Sequence, residues 1–229
     1  MRASPGRVII ASFIALTLST PSRAQNKENL DLPFDALGED EEEEEAPEVV
    51  NFYSTNLEGD GFFYVIDKSS SMAQGELTRA KAELNKNISE FSNRVQFGIV
   101  FFDANLTKFP GSGQPAEATE AMKQGAKGFV NATQAGSGSC CMQGLMAGLQ
   151  FANRAKSRRK VIVYLGDGGG HCQGGDELQY LNKTVSTITA QNYQRIKINT
   201  IGILEVTTTS ENFLRRLASS NGGSYTRIR

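Results

Sequence analysis

Hydrophobic residues along this chain follow two patterns in alternation. Gly61–Ile66, Val95–Phe102 and Lys160–Leu165 are almost uninterrupted apolar runs, as expected of strands buried on both faces of a parallel sheet. Between the first two, Leu77, Ala80, Leu84, Ile88 and Phe91 recur three or four apart, the spacing of one apolar helix face. Further helices are expected over residues 115–130, Cys141–Ala155, Asp176–Ala190 and Glu211–Ser219, with strands at Ile196–Leu204 and Ser224–Ile228. Strands and helices in this order imply a doubly wound α/β domain, its central sheet mostly parallel and covered by helices on both faces. Such folds bind ligands at the carboxyl ends of strands, where the crossovers diverge. No internal repeat is present.

The pattern begins only after Ala46-Pro47, and two other segments precede it. Arg2 and Arg7 flank the apolar run Val8–Leu18, and small residues, Ser22 and Ala24, stand at −3 and −1 of a cleavage site after Ala24. Residues 1–24 are therefore expected to be a signal peptide of an exported protein, secreted or periplasmic. The run is short of the roughly 20 apolar residues that cross a bilayer, so the mature chain is expected to carry no membrane span. No cysteine near the cleavage site points to a lipid anchor.

A net charge of −1 hides a strong asymmetry: residues 26–50 carry eleven acidic side chains and one Lys, whereas residues 51–229 carry twenty Lys/Arg against fourteen Asp/Glu. Glu39–Glu45 is seven carboxylates in a row. Self-repulsion and the lack of anything to bury predict a disordered acidic linker over 25–50, with the folded domain over 51–229. Its role is read as a solvated spacer, with a weak calcium sponge or an electrostatic tether as alternatives.

Three polar segments stand at boundaries where a ligand would bind. Asp67, Ser69 and Ser71 directly follow the first buried strand; Ser139, in a Gly/Ser loop, precedes the helix at Cys141; Asp167, between Gly166 and Gly168, follows the strand ending at Leu165. Two carboxylates and several hydroxyls form an all-oxygen set suited to a hard cation such as Mg²⁺, which takes six oxygens and keeps some waters. One position could then be completed by a partner's carboxylate, because the cation is the nearer charge.

These segments resemble the von Willebrand factor type A (vWA) family. Asp67-x-Ser69-x-Ser71 matches its D-x-S-x-S motif; Ser139, followed by Gly144 and Leu145, stands where the family carries a Thr before a helix; Gly166-Asp167-Gly168 stands for its Thr-Asp-Gly. Gly222–Tyr225 is similar to the family's last turn and strand. The resemblance, which covers residues 60–229, implies a Rossmann-like fold with a metal-ion-dependent adhesion site (MIDAS) at Asp67, Ser69, Ser71, Ser139 and Asp167. Mg²⁺ is the expected ion, with Mn²⁺ or Ca²⁺ as alternatives. Ser for Thr at 139 keeps the hydroxyl, and Gly166 removes a group outside the ligand set.

Cys140 and Cys141 adjoin Ser139, and Cys172 lies five residues beyond Asp167. On the resemblance both loops belong to the metal rim, so one disulfide is expected, Cys172 pairing with Cys140 or Cys141 and Cys141 preferred. Reduced core cysteines, or a zinc site with His171, are the alternatives. Gly166, Gly168 and Gly170 follow a strand, but no helix opens directly after them as a dinucleotide fingerprint requires. His171 is the sole histidine, without a nucleophile and orienting group to make it a catalytic base. Asn87, Asn105, Asn131 and Asn182 begin N-x-S/T sequons. The expected function is cation-dependent binding of an acidic group on a protein or matrix partner, neither enzymatic nor directed at nucleic acid. The alternative is a structural or assembly module whose metal site stabilises the fold or is degenerate.

Overall fold

A computed structural model describes residues 46–228 apart from 171, 173, 204 and 205. The signal peptide, the carboxylate run Glu39–Glu45 and His171 lie outside the described residues. The elements are β1 (Glu48–Phe52), β2 (Thr55–Gly59), β3 (Gly61–Asp67), a 3₁₀ turn (Ser70–Gln74), α1 (Glu76–Glu90), β4 (Gln96–Phe102), β5 (Leu106–Phe109), β6 (Ala116–Glu117), α2 (Glu120–Ala132), α3 (Cys141–Arg154), β7 (Lys160–Gly166), α4 (Glu177–Gln191), β8 (Lys197–Gly202), α5 (Thr208–Ser220) and β9 (Tyr225–Arg227).

A seven-stranded sheet runs β5-β4-β3-β7-β8-β9, with β6 also on β4. β3 pairs in parallel with both β4 and β7, and β7-β8-β9 continue in parallel; β5 and β6 add to β4 antiparallel. This is the mostly parallel, doubly wound sheet expected from the apolar runs. Alternation along β3 divides the core. Phe62, Tyr64 and Ile66 pack with α1, α2 and the β1–β2 hairpin. Phe63 and Val65 pack with α3, α4 and α5. From β3 the chain crosses through α1 to β4 on one side, while β7 leads through α4 to β8 on the other. The crossovers part at β3 and β7, so the crevice for a ligand lies at their carboxyl ends.

Three features differ from the expectations. β1 begins at Glu48, so the boundary drawn at residue 51 cuts through a strand. Val50 and Phe52 are buried and alternate with exposed neighbours. The hairpin turns through Tyr53 and Ser54, both with positive φ (47° and 60°), the twist a two-residue turn needs. The Tyr53 ring packs edge-on to Phe52 and Ser54 N donates to Asn51 Oδ1 at 3.1 Å, holding that backbone in place. The helix expected from residue 115 starts at Glu120, because Ala116 and Glu117 pair with β4 and Thr119 caps α2 by accepting from Met122 N. Edge strand β5 was not expected. Among the described residues, no helix is long and apolar enough to cross a membrane.

Candidate metal centre

All five expected ligand residues meet at the carboxyl ends of β3 and β7. Asp67 is the last residue of β3, fully buried; its Oδ1 accepts from Ser69 N at 2.6 Å, which folds the chain back on itself directly after the strand. Met72 N donates to Ser69 O, and the Met72 side chain plugs into the core, so the serine turn is pinned from below. Ser69 Oγ and Ser71 Oγ lie 3.0 Å apart, and Ser71 Oγ donates to Asp167 Oδ2 at 2.7 Å. From the other side Ser139 Oγ donates to Asp67 Oδ2 at 3.0 Å and approaches Gly169 O at 3.3 Å. Asp167 Oδ1 accepts from Gly169 N, closing its own loop. Five side-chain oxygen donors, from three separated stretches of chain, thus form two linked groups.

The site has a closed floor and an open lip. Asp67, Ser69 and Ser139 are buried, Asp167 is half-buried and Ser71 exposed. Burial pushes the Asp67 carboxyl up to about 7 and the like charge of Asp167 adds to this, while hydrogen bonds from Ser69 and Ser139 pull the other way. A buried carboxylate facing a second one is an arrangement whose ionised state a cation would relieve. Among the described residues no three His, Cys, Asp or Glu side chains cluster. Two carboxylates and three hydroxyls are hard oxygen donors, a set that fits a hard ion.

Two glycines of the rim stand where a side chain would meet a neighbouring carboxylate residue. A Cβ at Gly166 would lie 2.9 Å from Asp67 Cβ, so a larger residue there would press on Asp67. Gly136 fills a similar need, since its Cβ would overlap Asp103 Oδ2 at 1.7 Å.

That carboxylate was missed by sequence reasoning. Asp103 stands one residue past the end of β4, whose last residue pairs with Asp67 at the end of β3; its place at a strand's carboxyl end was the one signal for it. It forms a buried ion pair with Lys68 at 2.6 Å, its backbone O accepts from Cys140 N, and Gly136 N donates to Lys68 O. The pair thereby ties the ends of β3 and β4 to the Ser139 loop. Glu177, in the first turn of α4, was missed too; its Oε1 accepts from Gly170 N at 2.8 Å and steadies the Asp167 loop.

A disulfide joins Cys172 to Cys140, not to the preferred Cys141. Cys140 occupies the N-cap position of α3, buried beneath the rim on the side of Cys172, whereas Cys141 begins the helix and points into the core toward Tyr180 and Thr184, its thiol pushed up to about 12 by burial. With Cys140 and Cys172 joined, a zinc site made of these thiols is not formed. Asn87 is fully buried between Tyr64 and the Asn51 carbonyl, so its sequon is closed in the folded domain.

The fold and these motifs define the class. The chain belongs to the von Willebrand factor type A family, whose model matches residues 63–228. No curated protein matches it. Among solved structures it is similar to a von Willebrand factor type A protein from Catenulispora acidiphila (TM-score 0.65, 20% identity, 76% of this chain and 40% of that one). It is also similar to the pilus adhesin SpaC from Lactobacillus rhamnosus GG (TM-score 0.59, 12% identity, 80% and 28%). A third likeness is to proximal thread matrix protein 1 from the mussel byssus, with a zinc-occupied MIDAS motif (TM-score 0.55, 20% identity, 73% and 41%). At these identities the likeness is one of fold. The chain spans less than half the length of each of these three relatives.

Proposed function

We propose that this is an exported, non-enzymatic vWA-domain protein that binds a carboxylate on a protein or matrix partner through a divalent cation, Mg²⁺ by preference, held by Asp67, Ser69, Ser71, Ser139 and Asp167. The observation that carries the reading is the convergence of those oxygens on one rim, closed at Asp67 and open at Ser71. A bound ion supplies a hard positive centre with a position free for an incoming oxygen. Asp67 and Asp167 offset its charge, and the serine hydroxyls fill neutral positions. The rigid floor holds this set in place, so that a partner meets a preorganised site. Adhesin and matrix proteins among the structural relatives support a role in protein interaction.

The test is capture of partners from the surroundings of the source cell on the immobilised chain. A partner retained in Mg²⁺, released by EDTA, regained on refilling and absent from an Asp67→Ala bait supports the reading. A partner retained equally in EDTA overturns it. Cation uptake with no cation-dependent partner would favour the structural module instead.

A further inference from the structure

At the opposite pole of the domain, where β3, β7 and β8 begin, lies a cleft of about 370 Å³. Arg158, Arg159, Lys160, Arg195 and Lys197 line it, against one carboxylate, Glu58. Arg159 grips Asp60 through Nε and Nη2 at 2.9 and 3.1 Å, and Lys160 Nζ donates to Gln194 Oε1 at 2.9 Å. The side chains of Arg195 and Lys197 have no hydrogen-bond or ion-pair partner among the described residues. Arg195 also holds a left-handed backbone, φ 53°, which a side chain disfavours. The turn is clamped: Arg195 N donates to Asn192 O, and the buried Asn192 amide bonds both the N–H and the carbonyl of Ile196 at 2.8 and 2.7 Å. The backbone that carries Arg195 is therefore fixed at the rim, with the side chain exposed.

Asp60 pairs with Arg159 and Gln194 with Lys160. The charges of Arg195 and Lys197 are left in one concavity whose lining holds a single carboxylate, Glu58. Crowded like charges in a cleft focus the field and attract a counter-ion, and burial already holds Lys160 below the usual lysine range. Guanidinium forks match oxyanions of high charge density. Nothing aromatic lines the cleft among the described residues, so it offers no platform for stacking bases. We propose that this basic cleft is a second binding site, for a phosphate or sulfate group, independent of the cation at the other pole.

The test titrates the full chain with inorganic phosphate, inorganic sulfate and acetate at matched ionic strength, read by calorimetry. The comparison is an Arg195→Asn, Lys197→Ser double variant; Asn tolerates the left-handed backbone, and an unchanged melting profile confirms its fold. Phosphate or sulfate should bind, acetate should not, and the variant should lose about tenfold or more in affinity. Cosedimentation with phosphatidylcholine vesicles, with and without phosphatidic acid, separates the sources. Vesicle binding that needs both side chains, without a free-ion response, assigns the group to a lipid headgroup; the converse assigns it to a soluble ion. Acetate equalling phosphate, a variant binding like the parent, or no response in either assay would overturn the proposal.

Discussion

Replacing Asp67 by Asn should stabilise the metal-free protein at neutral pH and abolish its response to Mg²⁺. Asp67 is fully buried, and its folded-state pKa of about 7 stands above the ordinary 3.8. A carboxyl raised in this way contributes stability that is full below pH 3.8 and is lost as pH rises through 7. Three pH units at about 1.36 kcal/mol each set a ceiling of about 4 kcal/mol on that loss. Asn fits the same pocket: its Oδ1 still accepts from Ser69 N, and its amide can donate to Ser139 Oγ while that hydroxyl turns to Gly169 O. At about 2–4 °C per kcal/mol, the melting temperature of Asp67→Asn minus that of the parent, in EDTA, should grow by roughly 10 °C between pH 4 and 8. Mg²⁺ at about ten times its dissociation constant should add about 1.4 kcal/mol to the parent alone. Scanning calorimetry of both proteins across pH, with EDTA or Mg²⁺, gives the four curves. A difference in EDTA that stays flat from pH 4 to 8 would refute the reasoning, since burial would then not oppose ionisation at this site.

Non-reducing peptide mapping should recover Cys140 linked to Cys172, with one thiol, Cys141, titrating only after unfolding. Reduction should cost roughly 3–4 kcal/mol, because the bond closes a loop over a sequence separation of 32. A chain beginning at residue 46 should melt within a few degrees of one beginning at residue 25, whereas one beginning at residue 51 should lose at least the roughly 1.5–3 kcal/mol of burying Val50, together with the Glu48 carboxylate that accepts from Ser92 N. Denaturant unfolding of both truncations checks this. Asn87→Ala should destabilise by about 1–3 kcal/mol, because the hydroxyl of Tyr64 and the Asn51 carbonyl lose their buried partner; a change below 0.5 kcal/mol in the same assay would contradict it.

The elements most legible in the sequence were those whose burial is uniform. β3, β4 and β7 are covered on both faces, so their apolar runs are continuous and their ends mark where Asp67 and Asp167 stand. β5 and β6 lie at the sheet edge, where exposure on Leu106–Lys108 and a length of two residues leave little pattern to read. The β1–β2 turn uses Tyr53 and Ser54 where a hairpin signal would show Asn-Gly or Asp-Gly, and tertiary contacts make up for that choice. At the site, ligand types and their order could be read from local motifs. Lys68 with Asp103 could not, because 35 positions separate the partners and only the pairing of β3 with β4 brings them together. The preference for Cys141 failed on helix geometry: the first residue of α3 turns inward, and its neighbour at the cap turns to the rim.

The most direct test of the central claim is isothermal titration of Mg²⁺ into the EDTA-stripped chain and its Asp67→Ala variant at pH 8, where Asp67 is ionised. One site per chain in the parent and no measurable uptake in the variant is the predicted result. Equal uptake by the two proteins would contradict the assignment of the cation to this rim.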